Sequence, residues 1–458
     1  MQRIEVAADS KEIAKTFYGG RPMSNIHKIV VLGGGSSYTP ELLSGFINRN
    51  SRLAVEEIVL VDIPQGIQKL EAIGALGFRM FQKHSIDTRL SWTLDIESAL
   101  SGADFVLNQI RVGGLEGRAL DEQIPNRFGL IGQETTGAGG LFLGLRTMPV
   151  VIEIAKKMER LCPEATLINF TNPAGMVTQA VQQATNICCI GLCNIPINMK
   201  HQLATMLSMP VDRLNFDYVG INHLSFITRV WDDHTDYTEA LLKRPAELME
   251  SVVANIQQLD NPEAVIAAIG IIPCPYLAYY FYEDHQLKKE LQGLKDGKGT
   301  RANEVMATEK QLFDLYRDPE LTALPEALKK RGGSLYSEAA LQIVEAIAHS
   351  TGNILTVNVR NGSTIPQLPE DAVIEVNCTV DKNGAVPVGN IALPPQVQGL
   401  IQHVKSYESL AVAAALNRDR RLAQQALIAH PLAHDAVKAL NVFDALWEAQ
   451  AKHLGYYC

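Results

Sequence analysis

No Cys-x-x-Cys pair occurs in the chain, so the thiolate spacing that marks a zinc site from sequence is missing. A basic block is missing too. Lys and Arg number 41 against 50 Asp and Glu, a net charge of −9, which argues against nucleic-acid binding as the main role. An anionic substrate would need a local cluster of Arg or Lys working against that field. Residues 1–25 are mixed in charge and lack the sustained apolar core of a secretory signal. The most apolar window, Ala264 to Tyr282, is interrupted by Gly270, Pro273 and Pro275 and bounded by Glu263 and Glu283. It reads as a buried helix and loop, not a membrane span. Neither an internal repeat nor a low-complexity segment is present. The seven cysteines are odd in number and scattered, which does not look like a disulfide framework and best fits a reducing cytoplasm.

What is present is an ordinary globular balance, 47% apolar and 20% charged over 458 residues, enough for two domains or one large α/β body. Lys28 to Leu32 is a short apolar strand. It runs into Gly33-Gly34-Gly35-Ser36-Ser37-Tyr38 and then a helical pattern through Leu42, Leu43, Phe46 and Ile47. Strand, glycine turn and helix presents backbone N–H groups to a pyrophosphate. The match to G-x-G-x-x-G is incomplete, because Tyr38 stands where the third glycine should be. A second strand, Glu57 to Asp62, ends in an acid placed to accept from ribose hydroxyls, which favours NAD over NADP. The alternative is a tight turn that binds nothing.

Further buried strands at Asp104–Ile110, Thr166–Phe170 and Ile187–Leu192 alternate with helical stretches, including Met148–Leu161 and Gly175–Ala184. That alternation predicts an α/β chain with a doubly wound parallel sheet. Ligands in such sheets sit beyond the carboxyl ends of the strands. There lie Gln109-Ile110-Arg111, Asn169-Phe170-Thr171-Asn172 and Cys193-Asn194. The glycine-rich stretch Gly132 to Gly140 reads as a mobile cover over them.

In the second half, alternating strands at Phe216–His223 and Ser225–Val230 precede helices at Pro245–Gln258 and Arg301–Tyr316. Four tyrosines crowd Pro275 to Tyr282. Such a run is core packing, unless one phenol faces a cation and serves as a base. Thr300 is the expected N-cap before Arg301, whose charge opposes the helix dipole. That Arg either binds a phosphate or is solvated surface. A hairpin turns at Lys382-Asn383-Gly384, and helices fill the remainder to the C-terminus. Cys193 and His223, each at the end of a short apolar strand, could share a metal ion, or be a buried thiol and a core imidazole.

Eight stretches in this order resemble glycoside hydrolase family 4: GGGSSYTPELL, NQIRVGGLEGRALDEQIP, GQETTGAGG, NFTNPAG, GLCNIP, GINHLSF, PYLAYY and TRANEV. The resemblance implies a Rossmann-like fold akin to lactate and malate dehydrogenases. Residues 1–25 form an extension, 26–195 the NAD-binding domain, and 196–458 a C-terminal α+β domain for substrate, metal and assembly. It implies NAD at Gly33, Gly35, Ser36, Ser37, Tyr38 and Asp62, and Cys193 and His223 on a divalent metal, usually Mn2+. Arg111, Asn172, Asn194 and Arg301 fall on substrate positions, with Arg301 at a phosphate, and Tyr276 on the catalytic base. Asn at position 194 resembles the β-specific members, which implies a 6-phospho-β-glucosidase acting on substrates such as cellobiose 6-phosphate. The implied chemistry oxidises C3, removes the C2 proton, eliminates the aglycone, adds water and returns the hydride, without the usual carboxylate pair. Expected partners are a phosphorylated sugar and further copies of the chain as a homodimer or homotetramer, with no nucleic acid or membrane. Members acting on α-glycosides or uronides, and a plain NAD-dependent dehydrogenase, are the alternatives.

Overall fold

The computed structural model describes residues 26–248, 263–331 and 335–457. The expected extension, 1–25, lies outside these residues, as does most of the helix expected over Pro245–Gln258; Pro245–Leu248 of it is helical.

Six parallel strands form the heart of the molecule: β1 (Ile26–Leu32), β2 (Val55–Val61), β3 (Arg89–Thr93), β4 (Phe105–Asn108), β5 (Thr166–Asn169) and β6 (Cys189–Gly191). They lie in the order 3-2-1-4-5-6, so the winding reverses between β1 and β4. That reversal opens the crevice where such sheets hold ligands. Ile29, Val30 and Val31 of β1 and Phe105, Val106 and Leu107 of β4 are all fully buried, as expected where helices cover both faces. The crossovers run through α1 (Thr39–Arg49), α2 (Ile67–Lys83), α3 (Gly114–Arg127), α4 (Gly137–Leu161) and α5 (Ala174–Ala184). After β6 comes α6 (Ile195–Met206), where the expected 195/196 boundary falls.

Beyond that point β7 (Asn215–Ile221) and β8 (Leu224–Trp231) form a hairpin, joined by the short β9 (Ile272–Pro273). Then follow α7 (Leu277–Phe281), α8 (Glu283–Lys295), α9 (Arg301–Tyr316) and α10 (Tyr336–His349). The chain next returns to the first sheet. Three antiparallel strands, β10 (Asn353–Arg360), β11 (Val373–Asp381) and β12 (Gly384–Pro387), extend it past β6 to nine strands. The seam is narrow: Asn358 pairs with Gly191. A Cβ on Gly191 would lie 2.4 Å from Thr178 Oγ1 and 2.8 Å from Asn358 Cβ, so only glycine lets the strands close. Helices α11 (Pro395–Asn417), α12 (Arg420–Ile428) and α13 (Ala436–Ala449) complete the chain, with α11 packed on α4 and α5.

One expectation is overturned. Gly132 to Gly140 is not a mobile cover, because Gln133 to Gly140 are buried and α4 begins at Gly137, eleven residues before the predicted helix start at Met148. The glycines serve close packing instead. A Cβ on Gly139 would lie 2.3 Å from the Gln133 carbonyl oxygen, and one on Gly140 2.5 Å from the Thr135 carbonyl carbon. Helix α4 is long and apolar enough to cross a membrane, but 78% of its apolar window is buried inside the fold, which makes it a core helix.

Candidate active site

The glycine turn after β1 folds back on β2. Gly33, at φ +78°, and Gly34 both donate backbone N–H bonds to the Val61 carbonyl, at 2.9 and 2.8 Å. A Cβ on Gly34 would lie 2.7 Å from Leu60 Cβ. Asp62, at the end of β2, accepts from the Gly35 N–H at 2.8 Å and from the Ile63 N–H at 2.8 Å. It is half-buried at the mouth of the turn, and no side chain caps the N-terminus of α1. The Ser36 hydroxyl accepts from the Tyr38 N–H at 3.3 Å. Ser37 departs from the expectation that its hydroxyl faces a cofactor. It is fully buried, accepting from Arg331 Nε at 3.2 Å and donating to Glu309 at 3.3 Å, and so braces the turn against α9. Tyr38 turns away from the glycines into a neighbouring cleft.

That cleft gathers residues from both halves. Cys193 and Asn194 come from the β6–α6 junction, His223 from the β7–β8 turn, Tyr276 from the start of α7, and Arg111 and Asn172 from the loops after β4 and β5. Seven of the residues singled out in the sequence therefore line one cavity: Tyr38, Arg111, Asn172, Cys193, Asn194, His223 and Tyr276.

Cys193 Sγ lies 3.5 Å from His223 Nε2. One ion bonded at about 2.3 Å to sulfur and about 2.1 Å to nitrogen, at octahedral to tetrahedral angles, separates the two by about 3.1–3.6 Å. The pair is spaced to hold a metal. His223 adopts φ +65°, a cost that packing around the turn must sustain. Below it Asn222 donates to the buried carboxylate of Glu375 at 3.0 Å, and Glu375 also accepts from Asn358 at 3.0 Å and from the Tyr218 hydroxyl at 3.3 Å. Burial holds the His223 imidazole down at about 3, so it is neutral and able to ligate. Burial pushes the Cys193 thiol up, with Glu375 adding to the rise. That thiol sheds its proton when a cation binds. Among the described residues no third His, Cys, Asp or Glu joins the pair, so water or substrate must complete the shell.

The Tyr276 ring stacks on His223, centroids 3.9 Å apart and planes 5° from parallel, and its hydroxyl is hydrogen-bonded by Thr135. Burial pushes this phenol up, whereas a cation held beside it acts in the opposite sense. Asn172 Oδ1 is buried without a hydrogen-bond partner among the described residues.

Three residues unforeseen from sequence set the charge. Glu134 accepts from Arg111 at 2.5 Å and pairs with Arg118 at 3.1 Å. Burial alone would raise its pKa, but the guanidinium groups of Arg111 and Arg118 outweigh that and hold it at about 2. Arg118 is buried and also bonds Glu122 at 2.7 Å. Arg331 lines the opposite wall, its guanidinium 4.7 Å above the Tyr38 ring. Arg118 and Glu134 sit inside motifs already singled out, but nothing in their spacing reveals that they pair. Lys330-Arg331-Gly332-Gly333 reads as any basic surface loop.

Arg301 is not among the cleft-lining residues. It pairs with Glu304 at 2.6 Å, and the expected Thr300 cap is present as a capping box with Asn303. The Ala302 N–H donates to Glu122 at 2.8 Å. The start of α9 is thus partly occupied by a carboxylate.

Comparison with known proteins gives a coherent picture. The model of family 4 glycosyl hydrolases matches residues 28–209, and that of the family 4 C-terminal domain matches 218–433. A 6-phospho-beta-glucosidase of Escherichia coli (strain K12) is 44% identical over 417 residues, 90% of this chain and 92% of that protein. The 6-phospho-beta glucosidase from Thermotoga maritima, solved with manganese, NAD+ and glucose-6-phosphate, superposes with a TM-score of 0.83 at 35% identity. It covers 93% of this chain and 99% of its own. A malate dehydrogenase from Plasmodium falciparum, 13% identical with a TM-score of 0.52 over 86% of this chain and 99% of its own, shares the fold alone.

Proposed function

The chain belongs to family 4 of the glycosyl hydrolases, and on that premise we propose that it hydrolyses 6-phospho-β-glucosides with NAD and a divalent metal. The observation that carries this reading is the Cys193–His223 pair with Tyr276 stacked on it, at the crevice of a nucleotide-binding sheet. An ordinary hydroxy-acid dehydrogenase has no need of a thiol–imidazole pair. Relatives that act on this substrate class, and one that holds NAD+, manganese and glucose-6-phosphate, support it.

When bound, NAD+ takes up and returns the C3 hydride while the metal polarises the resulting carbonyl and acidifies the C2 proton. The chain supplies the rest. Gly33, Gly35 and Ser36 form the pyrophosphate turn, with Asp62 at the ribose, and Cys193 and His223 hold the cation. Tyr276 removes the C2 proton, and Thr135 orients its hydroxyl. Asn172 offers its unpartnered oxygen to a sugar hydroxyl. Arg111, fixed by Glu134, faces the sugar, and Asn194 sets the accepted anomer beside the metal ligand. We place the reaction in the cytoplasm, where buried thiols such as Cys162, Cys189, Cys193, Cys274 and Cys378 stay reduced.

The test is release of p-nitrophenol from its β-glucoside 6-phosphate with NAD+ and Mn2+ omitted in turn. Either omission is expected to stop hydrolysis, and turnover in D2O to place deuterium at C2. Hydrolysis without NAD+, or product lacking that deuterium, overturns the reading.

A further inference from the structure

Arg331 is 6% exposed, yet among the described residues no carboxylate forms an ion pair with it. A buried cation is ordinarily matched by an acid, because an unpaired one is costly to desolvate. Its neighbours worsen the imbalance. Glu134, the carboxylate lining the same cavity, is already shared by Arg111 and Arg118. The second acid on Arg118, Glu122, is committed to the N-terminus of α9. Three guanidinium groups thus face one cavity in a chain whose net charge is −9. Burial pulls the Arg331 pKa down, Arg111 and Arg118 add to the fall, and Tyr38 and Glu309 act against it, while Glu134, which feels Arg331 as well, is shared among three guanidinium groups.

The side chain is nevertheless held firmly. Nε donates to Ser37 Oγ at 3.2 Å, the Tyr38 ring lies beneath the guanidinium at 4.7 Å, and the Tyr38 hydroxyl donates to the Arg331 carbonyl at 3.3 Å. With Nε engaged in this way, no hydrogen bond to the forked end of the guanidinium is found among the described residues, and the side chain borders the cavity. The same residue therefore touches the nucleotide turn and borders the cavity that contains Cys193, His223 and Tyr276. A planar fork with two free N–H edges is matched to the oxygens of a phosphoryl group.

We propose that Arg331 is a phosphate-binding residue of this cleft, its missing counter-charge being a phosphoryl group of a bound ligand. The inference rests on the function proposed above, which supplies two sources of that group: the sugar phosphate and the dinucleotide pyrophosphate. Arg301 pairs with Glu304 and is not among the residues lining this cavity.

The experiment is calorimetric titration of the full chain and of Arg331→Met with glucose 6-phosphate, glucose and NAD+ separately, in the presence of Mn2+. Loss of a charge-assisted contact is expected to weaken the phosphate-bearing ligand about 10- to 100-fold, with any binding of unphosphorylated glucose unchanged. Weakening confined to glucose 6-phosphate assigns the residue to the sugar phosphate, and weakening confined to NAD+ assigns it to the pyrophosphate. Both ligands binding the variant as tightly as the parent overturns the inference. Should Arg331→Met not fold, Arg331→Gln removes the charge and keeps a polar end, and unchanged affinity for both ligands there overturns it equally. If the parent chain binds neither ligand, the proposed function itself has failed.

Discussion

The imidazole of His223 lies flat on the phenol of Tyr276, ring centroids 3.9 Å apart. On the proposed function one ring would hold a cation and the other would remove the proton that this cation makes acidic, so that ligand and base would share one stack. Tyr276→Phe keeps the stack and removes the hydroxyl. It is expected to lower kcat by at least about 100-fold while NAD+ affinity, read by titration, stays at the parent value. A retained rate would move the base to Tyr279, 5.8 Å from Tyr276 between ring centroids, or to Tyr280, whose hydroxyl is bonded to Thr136 at 2.7 Å.

Cys193→Ser tests the metal pair. Loss of partners that merely support a ligand costs about 10- to 100-fold in metal affinity, so loss of the thiolate itself is expected to exceed about 100-fold. Mn2+ titration followed by electron paramagnetic resonance measures this without reliance on turnover. Unchanged Mn2+ binding removes Cys193 from the ligand set.

Asn194 borders the cavity directly after Cys193. Asn194→Asp introduces a negative charge and a possible proton donor beside the metal. The ratio of β to α phosphoglucoside hydrolysis is expected to fall by about 10-fold or more. An unaltered ratio assigns anomer choice elsewhere.

Glu290 on α8 accepts from the Gly132 N–H at 2.8 Å and from Asn126 at 2.7 Å, fastening the segment that carries Glu134. Burial pushes its pKa up to about 7. The folded state therefore holds this proton over a range, from about pH 4.5 to 7, in which the unfolded chain has released it. Stability is lost as pH rises through that window, by at most about 3 kcal/mol. Glu290→Gln is expected to remove this part of the slope, seen as a flatter dependence of denaturation midpoint on pH between 4.5 and 7.

Arg146 and Asp121 are both fully buried and paired at 2.7 Å; Arg146 Nε also holds the Val112 carbonyl at 3.1 Å, next to Arg111. Arg146→Met leaves the buried Asp121 carboxyl without its guanidinium partner, with Gln450 as a remaining donor at 2.7 Å. The expected cost is about 3–5 kcal/mol of stability, measured by chemical denaturation, with a rise in KM as the Arg111 loop loosens.

Much of this site is legible in the residue order. Strands read as apolar runs, α9 runs from Arg301 to Tyr316 as its pattern predicts, and the clustering of Arg111, Asn172 and Cys193 follows from the ligand-binding edge of such sheets. What stayed hidden depends on pairs distant in sequence. Glu134 owes its role to Arg111 and Arg118 on other elements, and β10 joins the sheet by one pairing across more than 160 residues. The glycines of Gly132–Gly140 misled for a related reason. Glycine marks flexibility and close approach alike, and only the neighbouring carbonyls distinguish them.

The seam at Gly191 and Asn358 has an evolutionary consequence. Two residues past it stands Cys193, so the thiol's position is fixed by a strand supplied by the far end of the chain. The nucleotide-binding half is then not an interchangeable module. Severed after α6, it would keep β6 as a bare edge open to adventitious strand pairing. Recombination between relatives would preserve the site only where both halves bring matching residues to that one junction.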